Sequence, residues 1–174
     1  MFQKMIRRWR DRDNPLLSLL GKVPLFHSLN FDELRDVMNL LQIKRYAIGD
    51  VVFRQGDMGQ GVYIVISGQI DIFQTEEGKK VVLAQSEAGA FFGETALLDD
   101  EPRTGSAVVS LEAELALFSR SSLLLLAEQR PHLSVKIALQ LSQVIAERLR
   151  RTNRGLREVR DKLEAAQQVQ KERT

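Results

Sequence analysis

Residues 49–78 read GDVVFRQGDMGQGVYIVISGQIDIFQTEEG, and the fold turns on them. Apolar, largely β-branched and aromatic residues come in short runs, Val51–Phe53, Val62–Ile66 and Gln69–Gln74, with glycine at 49, 56, 59, 61, 68 and 78 between and around them. Runs of this length and composition form strands rather than helices. Glu76-Glu77-Gly78 has the make-up of a hairpin turn, and Val81–Ala84 supplies the strand after it. Gly89 and Gly93 continue the punctuation, and Ser106–Ser110 and Glu114–Phe118 add two more strands. Short strands spaced by glycine turns predict a mainly β fold, an antiparallel β-roll or jelly-roll, and not a parallel α/β sheet.

Helical signals flank this block. Asn14-Pro15 marks a break, and Leu16–Leu20 reads as one helical turn closed by Gly21. Asn30, with Glu33 three places on, forms a capping box for a helix over 31–41 whose apolar face is Phe31, Leu34, Val37, Met38 and Leu41. Downstream, Ser121-Ser122 caps a helix over 122–129, Arg130-Pro131 interrupts it, and a final helix runs from about His132 to the end. Along it Ile145, Leu149, Thr152, Leu156, Val159, Leu163, Ala166 and Gln170 step alternately by four and three. That is a heptad seam, suited to a homodimer; a lone helix folded back on the roll is the alternative. At the other end Phe2, Met5, Ile6 and Trp9 alternate with basic residues as on an amphipathic helix. Packing on the domain is the favoured reading there, over contact with a membrane surface.

Composition removes whole classes of function. There is no cysteine, so no disulfide or thiolate site, which fits a cytoplasmic protein. His27 and His132 stand alone, without the spacing of metal ligands or a catalytic triad. No stretch has the ~18 apolar residues of a membrane span. Net charge is +2, but the first 14 residues and the last 28 carry +3 and +4, leaving −5 between them. Basic ends are solvated helix faces or, alternatively, contacts for an anionic partner.

The chemistry concentrates in FFGETALLDDEPRTGSAVV, residues 91–109. Gly93 allows close approach of backbone to a ligand. The residues after it begin a helical turn whose free N–H groups attract phosphate. Arg103 supplies a planar fork for two phosphate oxygens, and Thr104 a hydroxyl donor. Glu94 suits a neutral hydroxyl such as a ribose 2′-OH, and would pair with Arg103 in an empty site. Together these residues suggest a ribose phosphate; a plain glycine turn beside a surface Glu–Arg pair fits the same letters.

The stretch resembles the phosphate-binding cassette of the cyclic-nucleotide-binding domain family, and the likeness extends over about residues 23–150. Phe92, Gly93, Glu94, Ala96, Leu97, Leu98, Pro102, Arg103, Thr104 and Ser106 fall in the family's order. Thr95 stands where the family usually has an apolar residue, and Gly105 where it has alanine. The resemblance implies that Arg103 binds the cyclic phosphate and Glu94 the ribose 2′-OH. It implies that backbone N–H groups near Gly93, Thr95, Ala96 and Thr104 line the sugar-phosphate, with Ile72 and Leu83 as apolar walls around the base; core packing accounts equally well for those two. The segment 141–153 is similar to the dimerisation helix of the family's catabolite-activator branch, where neighbouring polar residues from two subunits reach the adenine. The matching residues are Thr152 and Asn153; a register-setting threonine on the seam is the other account of Thr152.

These observations predict a receptor, not an enzyme. The ligand expected is cAMP or cGMP, with cAMP favoured and no metal or other cofactor. Three parts are expected: a basic segment over 1–22, a nucleotide-binding roll over 23–130 and a C-terminal helix over 131–174 that signals to a protein partner. About twenty residues follow the shared region, too few for a DNA-reading domain, so sequence-specific DNA binding is not expected. The alternative is a scaffold that dimerises or docks without nucleotide.

Overall fold

The glycines of the quoted stretch do different work, and the computed structural model, which describes residues 14–172, separates those that turn the chain from one that bends a strand. The elements are α1 (Pro15–Leu20), α2 (Phe31–Met38), β1 (Gln42–Tyr46), β2 (Val51–Phe53), β3 (Gly61–Glu76), β4 (Lys79–Glu87), β5 (Phe91–Phe92), a 3₁₀ turn (Glu94–Leu97), β6 (Ser106–Ser119), α3 (Arg120–Gln129) and α4 (Pro131–Glu172). All strand pairs are antiparallel, in the order β1-β6-β3-β4, with β2 on β6 and β5 on β3. This is the β-roll with flanking helices that the glycine spacing predicts.

The strands are longer than their sequence runs. Val62–Ile66 and Gln69–Gln74 belong to one strand, because Gly68 sits in a bulged register against β6 and not in a turn. A bulge bends a strand without ending its ladder. In the same way Ser106–Ser110 and Glu114–Phe118 are one strand, β6. The hairpin turn is where it is expected: Glu77 and Gly78 both have positive φ, 51° and 78°, as a two-residue primed turn requires.

Both faces of β3 are covered, which is why Val62–Val65 is buried without alternation. Val62 and Ile64 pack outward with Phe118 against the helices, joined by Leu20, Phe26, Val37, Leu126, Ile137 and Leu141. Tyr63 and Val65 point into the roll with Ile70, Phe92, Val109 and Leu115.

The capping box of α2 forms as expected, Asn30 accepting from the Glu33 N–H at 3.0 Å and Glu33 accepting from the Asn30 N–H at 2.8 Å. The helix ends at Met38, short of Leu41, with Asn39 as its C-cap. The cap of α3 is Ser119, whose hydroxyl accepts from the Ser122 N–H, so that helix starts earlier than Ser121-Ser122 suggests. Past the break at Arg130, α4 runs unbroken through Gly155. Its first half is anchored by Leu133, Ile137 and Leu141. Ile145 also packs against this core, while Leu149, Leu156, Val159 and Leu163 are exposed. The amphipathic segment expected over 1–14 falls, but for Asn14, outside the described residues, as do the side chains of Ala166 and Gln170. Among the described residues no helix is long and apolar enough to cross a membrane, and no group of three His, Cys, Asp or Glu could hold a metal ion.

Candidate functional site

Gly93 joins β5 to the 3₁₀ turn at φ 73°, a left-handed conformation that L side chains disfavour. A Cβ there would also fall on Nη1 of Arg103, so the missing side chain is the space the guanidinium occupies.

Arg103 reaches that space from the loop before β6. Its N–H donates to the Asp57 carbonyl at 2.8 Å and its carbonyl accepts from Gly56 N–H at 2.9 Å, which clips the loop to the turn after β2. Inside, Nη1 donates to the Gly93 carbonyl at 2.7 Å and Nη2 to the Gly61 carbonyl at 2.8 Å. The guanidinium lies 4.2 Å above the Phe53 ring centroid, a cation–π contact. The side chain is only 7% exposed, and its Nε is buried without a hydrogen-bond partner. Burial lowers the pKa of the guanidinium, and Tyr63, Glu94 and Asp57 act to raise it; arginine stays charged regardless. Burial likewise raises the Tyr63 phenol, against the pull of Arg103. The guanidinium is hydrogen-bonded to neutral carbonyls and feels Glu94 and Asp57 only at a distance, with no carboxylate among the described residues in ion-pair contact, which favours an anion beside it.

Glu94, 5% exposed, opens the 3₁₀ turn. Its carboxylate does not pair with Arg103, as the sequence suggested for an empty site. It accepts from Nη1 of Arg148 on α4. Arg148 also lies over the Phe91 ring, 5.2 Å from its centroid, so one arginine ties α4 to both the turn and β5. The sequence reading missed Arg148. The signal was its place one turn before Thr152 on the same helical face.

These groups border a cavity of about 600 Å³. Ile72, Leu83, Gly93, Glu94, Thr95, Ala96, Arg103, Thr104 and Thr152 all line it, together with Arg148 and Arg151. Asn153, one residue on, is exposed and lies outside this lining. Leu83 is half exposed, at 51%, and Ile72 is partly buried against the inner core. The cavity has a roll side, built by β3, β4, the 3₁₀ turn and the Arg103 loop, and a helix side, built by α4. At Gly105 a Cβ would come within 2.9 Å of the Phe73 carbonyl, tighter than ordinary contact, which accounts for glycine in place of alanine.

Known proteins resemble this chain in sequence and in fold. The model of the family described as "Cyclic nucleotide-binding domain" matches residues 43–130, half of the chain. The chain is 37% identical over 128 residues to the cyclic AMP receptor protein of Thermus thermophilus, covering 73% of this chain and 57% of the relative. It is 36% identical over 102 residues to a cAMP-dependent protein kinase regulatory subunit of Blastocladiella emersonii, covering 58% of this chain and 25% of that one. The chain thus spans little more than half of the first relative and a quarter of the second. Among solved structures, the catabolite activator protein of Thermus thermophilus superposes with a TM-score of 0.70 at 36% identity, covering 76% of this chain and 61% of that one. The regulatory domain of Toxoplasma gondii PKA with cAMP gives 0.60 at 29% identity, covering 64% and 42%. The chain belongs to the cyclic nucleotide-binding domain family.

Proposed function

We propose that this chain is a cyclic-nucleotide receptor, for cAMP and also cGMP, that reports occupancy through α4 to a protein partner. One observation carries the reading: Arg103 is buried, charged and held in place by backbone carbonyls, in the same cavity as the buried acceptor Glu94. Arg103 takes the cyclic phosphate, and its unpartnered Nε is consistent with an additional acceptor nearby. Glu94 accepts from the ribose 2′-OH. Backbone at Gly93, Thr95, Ala96 and Thr104 lines the sugar-phosphate, and Ile72, Leu83 and Thr152 flank the base. The reading assigns binding and signalling in the cytoplasm, and no reaction. Residues 23–130 form the binding unit and 131–174 the reporting helix.

The signal follows from Arg148. In the structure this arginine holds Glu94, the group that a ribose hydroxyl would engage. Ligand therefore redistributes the contact that fixes α4 to the roll, and only such a differential interaction can shift the position of a helix. The exposed Leu149, Leu156 and Leu163 favour a second copy on the distal half of α4. Asn153 is exposed between the first two of them, where a second copy would meet it.

Titration calorimetry with cAMP and with cGMP tests the proposal, with Arg103→Ala alongside and its folding checked by thermal melt. Binding at micromolar concentration or tighter, lost in the folded variant, is the expected result. No heat from either nucleotide with the unmodified chain overturns it in favour of a dimerising or docking scaffold.

A further inference from the structure

The cavity holds more positive charge than one cyclic phosphate uses. Three guanidinium groups line it, and two are committed: Arg103 to the Gly93 and Gly61 carbonyls and Arg148 to Glu94. Arg151 is the third. The nearby carboxylate of Glu147 accepts from Arg150 at 2.8 Å and from Arg154 at 3.5 Å, so Arg151 interacts with it through charge alone. Arg151 shares the lining with Thr152, one helical turn beyond Arg148, and with Ile72 and Leu83 of β3 and β4.

Resting on the nucleotide reading above, we propose that Arg151 is a specificity-determining residue that favours guanine over adenine. The reasoning is geometric and chemical. With the phosphate at Arg103 and the ribose at Glu94 and Arg148, the base lies toward the remaining lining, where Arg151 is the strongest donor. A guanidinium offers two parallel N–H donors in a fixed plane. The Hoogsteen edge of guanine presents two acceptors, O6 and N7, and matches that fork. Adenine presents N7 beside an amino donor, which repels it. Both nucleotides carry the same phosphate charge, so a general attraction by Arg151 cancels in their ratio and only contact with the base edge remains.

The test compares cGMP, cAMP and cIMP, by calorimetry, on the full chain and on Arg151→Ala and Arg151→Lys. Hypoxanthine keeps O6 and N7 but lacks the 2-amino group. The expected result is a roughly tenfold loss of cGMP and cIMP affinity in Arg151→Ala, ~1.4 kcal/mol, with cAMP changed less than about twofold. Arg151→Lys, which keeps the charge and loses the fork, restores less than half of that difference. An equal change for all three nucleotides would mean charge alone and overturns the proposal, as does no change for any of them. A loss for cGMP without one for cIMP places the contact on the 2-amino edge and also overturns it. Failure of the unmodified chain to bind any of the three sinks the receptor reading itself, and is distinct from each of these results.

Discussion

The two sides of the cavity hold their arginines in different ways. On the roll side, Arg103 is buried, bonded to two backbone carbonyls, stacked on Phe53 and clipped through its own backbone to the turn at Gly56 and Asp57. On the helix side, Arg148 has a side chain 47% exposed and is held by Glu94 and by its contacts at Phe91. A charge fixed by rigid backbone is ready before the ligand arrives, so little ordering opposes binding. A charge on a half-exposed helix face can exchange partners. On the proposed reading the difference separates recognition from signalling: the roll side would take the sugar-phosphate that cyclic nucleotides share, and the helix side would respond to it.

The largest effect expected from breaking this contrast is at Gly93. Gly93→Ala puts a Cβ onto the Arg103 guanidinium and forces a side chain into positive φ. Displacing a buried, hydrogen-bonded charge costs about 3 kcal/mol, so nucleotide affinity falls roughly a hundredfold. Calorimetry on the folded variant measures it; a loss under fivefold would show that the roll side is not pre-organised.

Arg148→Ala comes next. The pair joins a buried carboxylate to a half-exposed arginine, and a partly exposed ion pair contributes up to about 1 kcal/mol, so affinity changes by no more than about fivefold. Hydrogen exchange of α4 in the ligand-free chain should rise more clearly than affinity falls. A hundredfold loss of affinity, equal to that at Gly93, would break the contrast and make the two sides equivalent.

The smallest effect sharpens where the helix side is anchored. Glu33 of α2 accepts from Lys136 Nζ of α4 at 2.7 Å. Burial acts to raise its pKa, but the bonds from Lys136 and the Asn30 N–H prevail and lower it. A carboxyl whose folded pKa is depressed stabilises the fold above its unfolded value, near 4.5, and loses that contribution as pH falls through the lower folded value. Thermal melts should therefore show less loss of stability in Glu33→Gln than in the parent across that acid window, by about 0.5 kcal/mol. Identical acid profiles would mean that this bridge contributes nothing to holding α4.

The local grammar of the chain was legible from its letters. Glycine spacing revealed the roll, Asn30 and Glu33 the capping box, Glu77-Gly78 the hairpin turn, and the 91–109 stretch the cavity's roll side. These features depend on residues close in sequence, where backbone preference and capping chemistry act directly. The roll's long strands were not legible, because a glycine bulge and a glycine turn carry the same letter and only the register against β6 separates them. Nor was the partner of Glu94. Arg103 is nine positions away and Arg148 fifty-four, and the nearer one was the natural choice from sequence. Packing of Leu133, Ile137 and Leu141 into the core sets the azimuth of α4. That azimuth turns Arg148, Arg151 and Thr152 toward the cavity and leaves Asn153 outside it. The sequence by itself determined which groups line the cavity from the roll; the tertiary structure alone decided which face of the last helix borders it opposite them, because helix orientation is a property of the core it packs on and not of the helix.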